Sequence, residues 1–337
     1  MDIKIKDVAR AAGVSVTSVS RVLNKEQYVS EEIKRKVNQA INELGYTPSH
    51  IARSLKRKKT NLIGVIVSNI TSNFFSTILS SIEETVDQHH YNLLVCNIME
   101  NLDKELRYLQ TFHEMRVDGI IIMHEKANDD IRRFLDQTKI PIIFCASPVD
   151  PAFPGVTVDD FAAAYDAIRF LGDLGHQHIA FIGGDLEDVS SGRKRYEGYL
   201  KAMADIGLPV EQRWIRFGDY QVKSGYEQMK AILQEGSRPT AVFAASDDMA
   251  LGAMNCLHDC GFHVPEQMSV IGFDGSELTE LARPRLTSMQ QPIALIGRLS
   301  VELLLEAIQN PERPAAVTTV PHQLVIRDSC RAPAGFM

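Results

Sequence analysis

Four residues with metal-ligating side chains, Cys256, His258, Cys260 and His263, lie within eight positions of one another. On a helix, Cys256 and Cys260 would share a face, whereas His258 would point elsewhere. Zinc sites usually hold their ligands on loops that turn toward one ion. We therefore predict no metal site here, and no cofactor.

Two pairs of adjacent acids, Asp159–Asp160 and Asp247–Asp248, resemble the carboxylates of a hydrolase in type but not in spacing. Adjacent side chains diverge, and both pairs lie where a helix is expected to begin, so capping and the helix dipole account for them. The glycine pair of "IGGD" is too weak a motif for nucleotide binding, and the chain has no P-loop or nucleophile elbow. We predict no catalytic residues and no enzyme activity.

The stretch "GVSVTSVSRVLN", residues 13–24, carries Ser or Thr at every second or third position. Because these residues are mediocre helix formers, a helix that keeps them on one side usually presents them to a partner. Residues 1–60 hold 13 Lys/Arg and 6 Asp/Glu, a formal charge of +7, whereas the rest of the chain carries −14. A basic head on an acidic body suggests a polyanion-binding module, although a basic segment can also be solubilising surface.

Three short helices within residues 5–45 would position these side chains. "IKDVARAAG" stops at Gly13, "SVTSVSRVLN" begins after a tight turn with Ser15 as its N-cap, and "SEEIKRKVNQAINELGYTP" begins at Ser30 and ends near Gly45. A helix, a short turn containing Gly and a second helix form the helix-turn-helix pattern. We assign residues 1–47 to this all-α head.

Residues 48–60 connect the head to the remainder of the chain. Ile51, Ala52 and Leu55 could share one face of a short helix, but four consecutive basic residues follow at 56–59. So little apolar area would not hold such a helix in isolation. We predict a hinge that folds only against a polyanion.

From residue 61, apolar runs such as "LIGVIV", "VDGIIIM", "HIAFIGG" and "VIGFDG" alternate with helix-like segments. This alternation predicts parallel sheets with crossover helices. We expect an α/β body over 61–337 made of two doubly wound lobes, lobe 1 at about 61–160 and 291–321 and lobe 2 at about 161–290 and 322–330. Open sheets of this kind bind ligands at the carboxyl ends of their strands, so a cleft between the lobes is the predicted site.

The composition fits a globular protein, with 45% hydrophobic and 23% charged residues. No run approaches the roughly 18 apolar residues that a membrane span requires. The five cysteines are scattered and odd in number, which favours a reducing compartment over a disulfide scaffold. We expect a cytoplasmic protein without a membrane partner.

Nine segments in order resemble the lactose/galactose repressor (LacI/GalR) family of bacterial transcription regulators. They are "IKDVARAAGVSVTSVSRVLN", "VSEEIKRKV", "ELGYTPSHIARSLK", "IGVIV", "LGHQHIAFIGG", "RYEGY", "SDDMALGAM", "VIGFDG" and "LTSMQQP", and the resemblance runs from Ile3 to about Arg327. It implies a body like a periplasmic binding protein and a homodimer on a palindromic operator in double-stranded DNA. It also implies a repressor controlled by a small, sugar-like effector.

In heads of this family the second helix enters the major groove. The resemblance implies base contacts from Val16, Thr17 and Arg21, and a minor-groove wedge from Leu55. For the serines the alternative is capping or solvation, for Val16 it is a packing role, and for Leu55 it is packing on the body. The full predicted DNA-binding set is Ser15, Val16, Thr17, Ser18, Ser20, Arg21, Asn24 and Leu55.

The resemblance also implies effector contacts from loops at strand ends. Aromatic residues would flank a ring, an arginine would hydrogen-bond ligand hydroxyl groups or a carboxylate, and an acid would accept hydrogen bonds from hydroxyl pairs. The alternatives are that the phenylalanines are core, that Ser246 only caps a helix, and that Arg195 forms a surface salt bridge. The predicted effector-binding set is Phe74, Phe75, Arg195, Tyr220, Ser246, Asp274 and Gln291.

The chain looks close to the catabolite-control branch of the family, which uses a phosphorylated carrier protein as corepressor. Where that branch has a Tyr-Asp pair and a helical Arg, this sequence has Ala294, Leu295 and Glu302. We therefore expect a small-molecule effector. A solute-binding protein would have no use for the basic head, and a sugar-processing enzyme would need a catalytic set, so a ligand-responsive regulator is preferred over both.

Overall fold

The computed structural model describes residues 3–23, 28–46, 59–123, 126, 128–147, 153–312 and 316–333. The chain divides into two compact units, Met1–Asn61 and Leu62–Met337. We call the first the head and the second the body. Two predicted DNA-contacting residues, Asn24 and Leu55, lie outside the described residues, as does most of the predicted hinge.

The head contains three helices, α1 (Ile5–Ala12), α2 (Val16–Leu23) and α3 (Glu31–Leu44). Gly13 ends α1 in the left-handed region with φ 63°, a conformation that glycine adopts without steric cost. The Ser15 hydroxyl accepts the Ser18 amide at 3.0 Å and so caps α2, while Ser30 caps α3. The predicted helix-turn-helix is confirmed.

Each helix of the head contributes to one small core. Val8, Val19 and Val37, one from each helix, are fully buried. Val19 is the buried residue of α2, while Val22 and Leu23 pack beside it half-buried. Because α2 is anchored through this side, the residues on its opposite side remain at the surface.

Lobe 1 of the body is a parallel six-stranded sheet with the strand order β11-β5-β4-β3-β1-β2. Strand β1, which lies between β3 and the edge strand β2, is a nearly continuous apolar run, as expected when helices cover both faces. The strands are β1 (Leu62–Val67), β2 (Asn92–Asn97), β3 (Gly119–Met123), β4 (Ile142–Cys145), β5 (Gly155–Val158) and β11 (Val317–Val320), and the helices are α4 (Asn73–Gln88), α5 (Leu102–Met115), α6 (Asp129–Gln137) and α12 (Ile293–Gln309).

Lobe 2 repeats this layout with the strand order β12-β10-β9-β8-β6-β7. Only its edge strand β12 is antiparallel, paired with β10. The strands are β6 (Ile179–Gly183), β7 (Ile215–Phe217), β8 (Ala241–Ala244), β9 (Ser269–Asp274), β10 (Thr287–Gln290) and β12 (Gln323–Val325). The helices are α7 (Asp160–Asp173), α8 (Lys194–Asp205), α9 (Val222–Leu233), α10 (Asp247–Asp259) and α11 (Leu278–Leu281), and a π-helical turn, Val189–Arg193, precedes α8.

The chain passes between the two sheets three times. It does so from β5 into α7, from β10 into α12, and from β11 to β12. The predicted fold class, a helical head and two doubly wound lobes, is confirmed. Three connecting strands of this kind allow two lobes to rotate as rigid bodies about a hinge.

Candidate functional site

One face of α2 in the head lies at the surface. Ser15, Val16, Thr17 and Arg21 are all exposed, and Val16 retains 41% of its accessible area. An apolar side chain left so open at the first turn of a helix, beside a hydroxyl and a guanidinium, matches the chemistry that reads base edges. Ser18 and Ser20 are half-buried, and the Ser18 hydroxyl lies 2.9 Å from that of Ser15.

The body contains an interlobe cavity of about 440 Å³. Loops that follow strands of both sheets line it, which is where open α/β sheets bind ligands. Six of the seven predicted effector residues line this cavity, namely Phe74, Phe75, Arg195, Tyr220, Ser246 and Asp274. Their contact with a ligand remains a prediction.

Arg195, in the first turn of α8, is the buried cation of the cavity, with only 5% of its area exposed. Its Nε donates to Asp160 Oδ1 at 2.8 Å and its Nη1 to the Ala245 carbonyl at 2.6 Å. The guanidinium stacks on Phe273 with 3.7 Å to the ring centroid. The alternative of a surface salt bridge is therefore wrong, because Arg195 is held on three sides inside the body.

Charge interactions keep this arginine ionised. Burial alone would lower the pKa of Arg195, but the carboxylates of Asp160 and Asp274 outweigh it and the pKa is raised. Burial raises the pKa of Asp160, and Arg195 opposes that shift. Asp159 caps α7 as predicted, through the Ala162 amide, so the two adjacent acids have different roles.

Tyr220 forms one wall of the cavity from a left-handed backbone conformation with φ 63°. Its hydroxyl donates to Asp188 Oδ2 at 2.9 Å, and Asp188 also accepts the amide and hydroxyl of Ser191. Burial, and then the charge of Asp188, raise the pKa of Tyr220 well above its ordinary value, so this hydroxyl stays protonated. The ring packs so closely on Gly184 that a Cβ there would lie 2.0 Å from Tyr220 Cζ.

Asp274, at the end of β9, is 7% exposed and lines the cavity. Gln291 lies behind it, buried to 3% exposure, and its Nε2 donates to Asp274 Oδ1 at 2.8 Å. Burial raises the pKa of Asp274 well above its ordinary value. Gln291, the seventh predicted effector residue, is not part of the cavity lining. Its side chain instead holds the Asp274 carboxyl group in position.

The acids at the start of α10 separate in role as well. Ser246 is the N-cap, since its hydroxyl accepts the Met249 amide at 3.1 Å, and it also faces the cavity. Asp247 is buried, accepts the Ser276 amide and the Ser288 hydroxyl, and burial raises its pKa to about 6. Asp248 reaches lobe 1, where its Oδ1 accepts a hydrogen bond from the side-chain Nδ2 of Asn73 at 3.1 Å.

Both phenylalanines at the start of α4 are half-buried cavity residues. Phe74 and Phe75 meet edge to face with 5.3 Å between ring centroids, and both also pack on the lobe 1 core. The alternative, that both residues are wholly core, does not hold, because each ring leaves part of its surface in the cavity. Ala146, also on the lining, has φ 70° at the end of β4.

A second contact joins the lobes across the cavity. Lys126 of lobe 1 forms an ion pair with Asp185 of lobe 2 at 2.5 Å. The hydrogen bond to Asp185 raises the pKa of Lys126 and lowers that of Asp185. Sequence reasoning missed Lys126, Asp185, Asp188 and Asp248 as cavity residues; all four follow strand ends by a few residues, and that position is the one signal that indicated them.

The cluster of cysteines and histidines from Cys256 to His263 lies at the end of α10 and just after it. Within the described part of the chain, no three His, Cys, Asp or Glu side chains come together as a metal site. Cys256 is buried in α10, Cys260 is exposed at its end, and burial raises the pKa of Cys256 to about 12. None of the helices described is long and apolar enough to cross a membrane.

Comparison with known proteins gives two family matches. Residues 4–49 match "bacterial regulatory proteins, lacI family", and residues 168–330 match "periplasmic binding protein-like domain". Catabolite control protein A of Priestia megaterium is 37% identical over 98% of this chain and 100% of its own length. The transcriptional repressor PurR of Pasteurella multocida is 37% identical over 97% of this chain and 98% of its own. These relatives are transcription regulators and not enzymes.

Solved structures give the same picture. The lac repressor dimer bound to operator and the anti-inducer ONPF superposes with a TM-score of 0.88 at 30% identity, covering 98% of this chain and 100% of that one. The complex of the regulator CelR with cellobiose superposes with a TM-score of 0.74 at 27% identity, covering 97% of this chain and 99% of that one.

Proposed function

Because the chain belongs to the lacI family of bacterial regulatory proteins, we propose that it is a homodimeric repressor of transcription that binds a palindromic operator. We further propose that a small, sugar-like molecule in the interlobe cavity sets its affinity for that operator. Its place of action is then the cytoplasm, where its DNA target lies.

The interlobe cavity carries this proposal. Aromatic rings of Phe75 and Tyr220 supply apolar surface, while Arg195 and Asp274 supply a donor and an acceptor that are buried and fixed by other side chains. Rings with many hydroxyl groups need this combination of flat apolar walls and oriented polar atoms. The volume of about 440 Å³ lies within the usual range for small-molecule sites.

The exposed side of α2 supports operator binding. Arg21 can donate two hydrogen bonds to a guanine, and Val16 and Thr17 can contact a thymine methyl group. The lac repressor, which shares the fold over nearly the whole chain, has been solved as a dimer on its operator. A two-fold dimer would read two inverted half-sites.

The two functions would be coupled through lobe closure. A ligand that touches Phe75 in lobe 1 and Arg195 in lobe 2 favours the closure angle at which both contacts are made. If operator DNA prefers one closure angle, the ligand changes the free energy of operator binding. By linkage, the operator changes the free energy of ligand binding by the same amount.

Operator selection tests the proposal. Full-length protein would be used to enrich binding sites from random duplexes, and we expect an inverted repeat bound in preference to scrambled DNA. The variant Arg21→Ala should lose about 1–3 kcal/mol of operator affinity and relax the sequence preference. Arg35→Ala, which removes the same charge from an exposed position of α3, is the control. Enrichment of no sequence at all would contradict operator binding.

A further inference from the structure

The cavity contains an arginine, but its guanidinium is not available to grip an anion. Carboxylates and phosphates bind arginine best through two parallel N–H donors of one edge. Arg195 already donates Nε to Asp160 and Nη1 to the Ala245 carbonyl. Each edge of the guanidinium that could offer two parallel donors has therefore lost one of them. Only Nη2 has no recorded partner among the described residues, and a single N–H group suits a hydroxyl or carbonyl oxygen.

The second cation of the lining is neutralised as well. Lys126 pairs with Asp185 across the cleft, and the charges of Glu100 and Glu187 also act on it. The negative charges of three acidic side chains therefore act on one ammonium group. To bind Lys126, an anion would have to displace the Asp185 carboxylate, which would then have no counter-ion.

Carboxyl groups dominate the remaining lining. Six acids line the cavity against two basic residues: Glu100, Asp185, Asp188, Asp219, Asp248 and Asp274. Asp274 is more than nine-tenths buried, and its Oδ1 is engaged by Gln291 while no hydrogen bond is recorded for Oδ2 among the described residues. A buried acceptor that faces the cavity calls for an O–H or N–H donor on the ligand.

We propose, as a refinement that depends on the proposed function, that the effector is uncharged or cationic and rich in hydroxyl or amino donors. Phosphorylated and acidic sugars are excluded by the carboxyl-rich lining. The interaction of charges in a partly enclosed cleft is screened less than at a surface, so this exclusion persists at physiological salt.

Matched pairs of compounds test the charge preference. Full-length protein would be screened by thermal shift at fixed ionic strength against D-glucose, D-glucosamine and D-glucose 6-phosphate, against D-ribose and D-ribose 5-phosphate, and against cellobiose and cellobionate. Any skeleton that raises the Tm should do so in its neutral or amino form. Its phosphate or acid should bind at least tenfold more weakly, which corresponds to about 1.4 kcal/mol.

The variant Asp219→Asn provides an internal check, since Asp219 lines the cavity and is exposed. Removing this charge should at least halve the preference for the neutral member of a pair. Asp87→Asn, at an exposed position near the end of α4 and outside the cavity lining, should leave the preference unchanged.

The outcomes separate the two proposals. A phosphate or acid that stabilises the protein as well as its neutral counterpart, and no longer does so when Tyr220 is replaced by Ala, overturns the charge inference and leaves the proposed function intact. A broad screen in which no compound of either charge shifts the Tm counts against the proposed function, and the inference fails with it.

Discussion

The ion pair between Arg195 and Asp160 should make Arg195→Ala a stability variant as well as a binding variant. The two side chains are 5% and 2% exposed, so the substitution leaves a carboxyl group buried without its counter-ion. Removing one partner of a buried pair costs about 3–5 kcal/mol. Loss of the stacking on Phe273 adds to this.

Thermal unfolding of the full chain would measure this effect. For a domain of this size each kcal/mol lowers the Tm by about 2–4 °C, so we expect a decrease of about 6–20 °C. Lys194→Ala removes the same charge one position away, where the side chain is exposed, and should change stability by less than about 0.5 kcal/mol. The double variant Asp160→Asn/Arg195→Gln removes both charges of the pair, so it leaves no unpaired Asp160 carboxylate and should be more stable than Arg195→Ala.

The sign of the pH dependence gives a second check. Burial raises the pKa of Asp160, and loss of Arg195 removes the strongest influence that opposes this shift, leaving the smaller effect of the Lys194 charge. The folded state then takes up a proton more readily than the unfolded state, so the penalty is full at pH values above the folded pKa and shrinks as the pH falls through it. The Tm gap to the parent protein should therefore be smaller at pH 5 than at pH 8. A gap as small as that of Lys194→Ala, or one independent of pH, would refute the reasoning.

Three further predictions concern other parts of the body. Gly184→Ala should force the Tyr220 ring out of place and weaken effector binding by about tenfold or more, measured by calorimetry, because the hydroxyl loses its charged acceptor; unchanged affinity would exclude this packing role. Lys126→Met should remove the interlobe ion pair with Asp185, which would cost at most about 1 kcal/mol of stability since both groups are partly exposed. The cleft of the free protein should then open more, so fluorescence energy transfer between dyes on the two lobes should fall. Energy transfer equal to that of the parent protein would show that the pair does not hold the cleft closed. His176→Gln should weaken the dependence of the free energy of unfolding on pH below about 6.5. Burial lowers the pKa of His176, so the unfolded state of the parent binds the proton first and the parent loses stability as the pH falls below that value. The same pH dependence of the unfolding free energy in both proteins, measured with urea, would contradict this.

Local features of the head were predictable because they depend on neighbours in the sequence. Ser15 and Ser30 accept amides three residues ahead, and Gly13 and Gly45 adopt the left-handed conformation that ends a helix. The alternation of strands and helices likewise predicted both lobes. Nothing in the pattern of the chain's last strand indicated that β12 pairs antiparallel to β10.

The cavity was predictable only in part. Residues at or after the ends of strands, such as Asp274 at the end of β9 and Phe74 at the start of the helix that follows β1, reach it because parallel strands deliver their carboxyl ends to one edge. Pairs between elements distant in sequence were not predictable: Asp160 was expected to interact only with its own helix, yet it holds Arg195 from 35 positions away. The motif "IGGD" is too weak to indicate nucleotide binding, but its second glycine, Gly184, is where the Tyr220 ring packs.

Reciprocal titration tests the central claim, that occupancy of the interlobe cavity sets operator affinity. The operator found by selection would be titrated with protein at increasing concentrations of the stabilising compound, and the compound would be titrated into protein with and without operator. We predict that the compound changes the Kd for operator by a factor of about 5–150, that operator changes the Kd for the compound by the same factor, and that Asp274→Asn abolishes both effects. An operator Kd that stays the same at saturating compound would contradict the claim.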